Sequence, residues 1–101
     1  MPRIKIVSHW EGSEHEGVVR NAIRINAIWL RHGAEDFQVD RLHLGHGPGQ
    51  YRVTTAFSDW QAFGKASEQI ATDREFLEMM SASHANGRMT TRELLVEVQL
   101  G

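Results

Sequence analysis

Residues 3–10, RIKIVSHW, alternate between polar and apolar positions and are rich in β-branched side chains, the period-two signature of a half-buried strand. The period changes over residues 17–32, GVVRNAIRINAIWLRH. There Val18, Ala22, Ile25 and Trp29 fall on one helical stripe, with Val19, Ile23 and Leu30 beside it and Gly33 placed to close the helix. Alternation returns in DFQVDRLHLGH (36–46) and QYRVTTAF (50–57), and the intervening Gly47-Pro48-Gly49 predicts a β-hairpin. A second helix is announced by Ser58 as N-cap with Gln61 three positions on, and Asp59 favours the positive helix end. Trp60, Phe63, Ser67 and Ile70 follow at helical spacing. A further pair, Thr72 and Glu75, predicts a break near Thr72 and a restart carrying Phe76, Leu77 and Met80. Asn86-Gly87-Arg88 reads as a turn, and RELLVEVQL (92–100) as the last strand.

The element order is therefore β-α-β-β-α-β, an α+β ferredoxin-like sandwich spanning residues 1–101 as one domain. Right-handed crossovers make strands 1 and 2 parallel, put strand 3 antiparallel between them, and set strand 4 beside strand 1. Both helices cover one face of the sheet. The other face, with Val7, Ala56 and Leu95 among polar neighbours, is expected to meet a second copy and close an α+β barrel. Facing the helices, Ile6, Leu44, Val53 and Val96, roofed by Val19, Ile23 and Phe63, form the predicted apolar core.

Composition narrows the classes of function. A formal net charge of -2 gives no basic patch for nucleic acid or an anionic membrane. The absence of cysteine removes thiol chemistry and disulfides, and with no signal-peptide apolar run in MPRIKIVSHW the expected location is cytoplasmic. Nothing approaches a membrane span. No phosphate-cradling glycine loop is present, since Gly45-His46-Gly47-Pro48-Gly49 lies in a hairpin with no helix after it, so no cofactor is expected.

The passage VTTAFSDWQAFGKASEQIATDREFLEMM, an aromatic followed by a polar cap, a helix and an Asp-x-Glu-Phe restart, resembles the dimeric α+β barrel superfamily over nearly the whole chain. Members similar in this way include cofactor-free antibiotic-biosynthesis monooxygenases, haem-degrading monooxygenases, muconolactone isomerases and stress-response proteins. SHWEG and HLGHGPGQYRV bring a narrower resemblance, to small RedY-like proteins of red tripyrrole pigment (prodigiosin) biosynthesis. The resemblance implies the fold, a homodimer and a role in secondary metabolism.

The six histidines are the unusual feature of the composition. Topology gathers most of them at one end of the sheet: His9 ends strand 1, His15 precedes helix 1, His46 ends strand 2 and His84 follows helix 2. Tyr51 opens strand 3 there, and Arg88 and Arg92 flank the start of strand 4. His46 and Tyr51, on either side of the tight turn, are the leading acid–base pair, with His9 and His84 as further catalytic candidates. Trp10, Asn26, His43, Arg52 and Phe63 are candidate substrate-binding groups. His43 and His46 do not read as a metal chelate, because residues three apart on a strand point to opposite faces unless Gly45 marks a bulge. By that phase His46 joins Leu42 and Leu44 on the helix side, and His43 joins Arg41 on the barrel face.

Plainer readings accompany these. His15 lies in the acidic segment EGSEHEG and reads as solvated surface; His32 is explained by a helix C-terminus; Trp10, Trp29 and Trp60 read as core; Asp40 and Arg41 read as edge-strand charges. Histidine can take and return a proton near neutrality, so histidines around an apolar cavity suit isomerisation, cyclisation, dehydration or oxygenation of a hydrophobic aromatic small molecule. Two alternatives stay open: haem binding through an axial histidine, for which His84 is the helix-2 candidate, and a non-catalytic dimeric carrier of a pathway intermediate.

Overall fold

A computed structural model describes residues 2–12, 14–44, 50–82 and 88–100. Among these residues seven elements follow in order: β1 (Ile4–Glu11), α1 (His15–Arg31), β2 (Asp36–Arg41), β3 (Tyr51–Phe57), α2 (Trp60–Ala71), α3 (Arg74–Ala82) and β4 (Arg88–Val96). The strands form one sheet in the order β2-β3-β1-β4, every neighbouring pair antiparallel. This is the predicted ferredoxin-like topology, with the second helical segment divided in two.

Local chemistry accounts for the boundaries. Gly33 takes a φ of 102°, and its N–H donates to the Leu30 carbonyl while that of Ala34 donates to the Trp29 carbonyl. This paired closure uses the left-handed backbone that glycine adopts without a Cβ penalty, and it buries Ala34 against the core. The caps of the other helices sit one residue later than the sequence pattern indicated. Asp59, not Ser58, caps α2 by accepting from the Ala62 N–H at 2.8 Å. Asp73, not Thr72, starts α3 by accepting from the Phe76 N–H at 3.0 Å, and Thr72 closes α2 instead. In each case a carboxylate was available next to the hydroxyl. Its charge meets the positive helix end as well as the free N–H.

The sheet register separates two faces. Ile4, Ile6 and Ser8 of β1 lie opposite Phe57, Thr55 and Val53 of β3 on the helix side. Lys5, Val7 and His9, opposite Ala56, Thr54 and Arg52, lie on the other. Phe57, Ile4 and Ile28 are the largest side chains wholly removed from solvent. Trp29 meets Phe57 edge-on at 5.6 Å, and Phe63 packs against the same ring, also edge-on, at 5.4 Å.

Several expected core positions are not core. β2 stops at Arg41, and Arg41 pairs with Tyr51 on the helix side, so the expected phase of this strand is inverted. Leu44 lies beyond the strand and is 90% exposed. Val19, Ile23 and Leu30 are exposed, because the face of α1 that packs is narrower than its apolar arc. Trp60 is also half exposed at the start of α2, with its ring against Phe63. β4 begins four residues before the expected Arg92 and slips its register against β1 between His9 and Trp10. It is open on both faces: Leu94, Leu95 and Val96 are exposed, as are Val98 and Leu100 beyond its end.

Candidate functional site

Between the sheet and the helices lies a cavity of about 150 Å³. Its sheet side is built by Ile6, Ser8 and Trp10 of β1, Phe37 and Val39 of β2, and Tyr51, Val53 and Thr55 of β3. Val18, Ala22, Ile25 and Trp29 of α1 form the opposite wall, with Phe76 and Met80 of α3. The helical stripe read from the sequence is thus the wall of a cavity rather than part of a filled core. An apolar void of this volume accepts one aromatic ring, and because the cavity opens to solvent at one end a second fused ring can be accommodated.

Apart from Thr55, which lies opposite Ile6 and Phe37, the polar groups of the sheet side lie toward the end marked by the exposed side chains of Glu11, Met89 and Arg92. Tyr51, only 3% exposed, places its hydroxyl 2.7 Å from His15 Nδ1, and the two rings stack with centroids 5.9 Å apart. The Arg41 guanidinium lies 5.8 Å from the centre of the Tyr51 ring. Trp10 Nε1 donates to the buried Ser8 hydroxyl at 2.8 Å, which satisfies both groups and fixes the indole as part of the wall. Asn21 adds an amide to the lining.

The expected site residues divide. Tyr51 and Trp10 come together at the cavity. His9 does not: it lies on the helix-free face, with Nδ1 2.8 Å from Thr91 Oγ1. Arg52 is on that same face, its Nη2 3.5 Å from Asp40. His43 is exposed past the end of β2. Phe63 packs in the core, and Asn21 rather than Asn26 is the asparagine of α1 that lines the cavity. His46 and His84 lie outside the described residues.

His15 is the group the sequence reading passed over. Its acidic neighbours Glu14 and Glu16 marked the segment as surface, and its side chain does face outward from the first turn of α1. Placement at the start of α1, directly above the first residue of β3, is what makes it a partner for Tyr51. No described histidine lines the cavity itself, so the described residues offer no axial histidine pointing into it. Among the described residues no group of three His, Asp or Glu side chains is arranged to hold a metal ion, and no helix is long and apolar enough to cross a membrane.

Solved structures with this arrangement are numerous. The cofactor-independent oxygenase SnoaB from Streptomyces nogalater superposes with a TM-score of 0.69 at 16% identity, covering 99% of this chain and 97% of its own. A dimeric ferredoxin-like protein from an uncultured marine organism gives 0.64 at 12% identity with both chains fully covered. The chain has their ferredoxin-like fold. HapK from Hahella chejuensis is similar as well, with a TM-score of 0.64 at 15% identity over 97% of this chain and 95% of that one. No family model matches the sequence, and no curated protein matches it either. The likeness is one of fold.

Proposed function

We propose that the protein is a homodimeric, cofactor-free enzyme of secondary metabolism, of the antibiotic or pigment kind, that moves a proton on a hydrophobic aromatic small molecule. The Tyr51–His15 contact at the polar end of an apolar cavity carries this reading. An aromatic ring gains from burial against Trp10, Val18, Ala22, Ile25 and Val39 without having to displace a polar partner. The reacting carbon then lies toward Tyr51. With Nδ1 as acceptor, the Tyr51 hydroxyl donates to His15 and keeps oxygen lone pairs free. As a substrate C–H proton passes to the Tyr51 oxygen, the hydroxyl proton passes to His15. The products are an enolate and an imidazolium, with Tyr51 neutral before and after. An enolate formed in this way can rearrange, eliminate or meet oxygen. SnoaB, with the same fold, is a cofactor-independent oxygenase, which supports the last of these.

The homodimer is supported by β4, whose apolar side chains are exposed on both faces, and by the dimeric relative of the same fold.

The test uses 2-tetralone, an enolisable bicyclic aromatic ketone, in D₂O with no cofactor added. Exchange of its α-hydrogens, followed by NMR, should exceed the buffer rate by at least about two orders of magnitude, the scale of a positioned proton acceptor. Binding of the ketone without accelerated exchange would leave a carrier in place of an enzyme. No binding of any aromatic probe would overturn the reading.

A further inference from the structure

We propose that the cavity selects aromatic ligands bearing an anionic oxygen, with Arg92 as the counter-charge. This deepens the aromatic-substrate reading and rests on it. Two charged side chains line the cavity, Glu11 and Arg92. Glu11 is already engaged: Arg88 Nη2 reaches one carboxylate oxygen at 3.3 Å, and Gln50 Nε2 donates to the other at 3.1 Å. Among the described residues Arg92 makes no ion pair and no side-chain hydrogen bond. The β4 register sets it opposite Ser8 on the cavity side and turns its neighbour Glu93 to the helix-free face, opposite Val7. The negative charge nearest in sequence therefore points away from it.

The surroundings reinforce the sign. Arg41, also without an ion pair among the described residues, holds its guanidinium over the Tyr51 ring. Glu14 and Glu16 flank His15 but are exposed and do not line the cavity. A guanidinium presents a planar fork of donors that fits a carboxylate or enolate oxygen, and it stays charged at every working pH. Arg92 is itself exposed, and a fully solvated pair would contribute at most a few-fold in affinity. Apolar walls on the ligand side shield the pair from part of the surrounding water, and the expected preference is about tenfold. The same guanidinium would stabilise the enolate formed opposite Tyr51.

The experiment compares 2-naphthoate with 2-naphthamide, matched in shape and different in charge. Binding is read by quenching of tryptophan fluorescence, since Trp10 and Trp29 line the cavity. The acid should bind about tenfold more tightly than the amide at low salt. Arg92→Gln should abolish that preference by lowering the affinity for the acid about tenfold, to that for the amide. Arg52→Gln, the same charge change on the opposite face of the sheet, should leave the preference intact. Equal binding of acid and amide to the unaltered protein would overturn the inference while the aromatic reading stands, and so would a preference that survives Arg92→Gln. If neither compound binds, both readings fall.

Discussion

Tyr51 and His15 are 36 residues apart in sequence and meet at 2.7 Å, one at the first position of β3 and the other at the first position of α1. Neither element alone places a proton acceptor beside a buried phenol; the crossover from β1 through α1 does. Tyr51→Phe deletes one oxygen and retains the ring that packs the sheet. Tm and dimer mass should be nearly unchanged, while proton exchange on 2-tetralone falls by roughly two orders of magnitude. Exchange at the unaltered rate would remove Tyr51 from the chemistry.

His15→Ala and His46→Ala separate two candidates for the final proton acceptor. The sequence favours His46, across the turn from Tyr51; the geometry favours His15. His15→Ala should lower exchange by about two orders of magnitude. His46→Ala should have a smaller effect, measured in the same NMR assay with circular dichroism to check the fold. The reverse ranking would return the role to His46.

The fold was legible in the sequence because it rests on periodicity, which survives local error. The strand alternation of RIKIVSHW and QYRVTTAF and the stripe Val18, Ala22, Ile25, Trp29 each specify a face, and those faces meet as expected. The site was less legible, because it depends on where elements end. Ending β2 at Arg41 inverts the side to which that strand's residues were assigned and leaves Leu44 in solvent. One-residue phase also decides His9, which the register puts opposite Arg52 on the helix-free face while its neighbour Trp10 enters the cavity wall. The topology sets His15 at the same end as Tyr51, but its acidic neighbours Glu14 and Glu16 make it read as surface. Its value comes from the strand beneath it.

At the far end of α1 a second polar cluster ties the helices together. Asp73 Oδ2 receives Arg31 Nη2 at 2.7 Å and His32 Nε2 at 2.6 Å, and His32 Nδ1 lies 2.9 Å from Gln69 Oε1. His32 therefore does more than sit at a helix C-terminus. The hydrogen bond from His32, then the Phe76 N–H and Arg31, hold the Asp73 carboxyl well below the usual carboxylate range. Its folded-state pKa is depressed, so the stabilisation is fully present above the unfolded value of about 3.9 and is lost as pH falls below it. Asp73→Asn keeps a competent N-cap but removes the charge. It should lower Tm at pH 7, and the gap to the unaltered protein should narrow between pH 4 and 2, read by thermal melts.

Phe57 tests the packing that holds both clusters in place. Its ring is wholly buried and is met edge-on by Trp29 and Phe63. Phe57→Ala should cost about 3–5 kcal/mol, the range for deleting a buried aromatic ring, as measured by urea unfolding. A loss below about 1 kcal/mol would mean that the core collapses freely around the void, which the close packing of Trp29 and Phe63 against the ring opposes.

The last expectation concerns assembly. Along β4 and the residues after it, Leu94, Leu95, Val96, Val98 and Leu100 are exposed at 47%, 43%, 45%, 75% and 95%. So dense a run of apolar side chains on a sheet edge favours association with a second chain, because an open edge also offers unpaired backbone donors and acceptors. Leu95 shares the helix-free face with Val7 and Ala56, where the facing sheet of a barrel would pack; Leu94 and Val96 point to the other side. Sedimentation at micromolar protein should therefore give twice the 11.5 kDa chain mass. Leu95→Arg should shift that mass toward the monomer by burying an unpaired charge at the contact. Leu77→Arg, an equally exposed leucine on α3, should leave the dimer intact. A monomer in the unaltered protein, or a dimer indifferent to Leu95→Arg, would rule out the sheet-to-sheet contact.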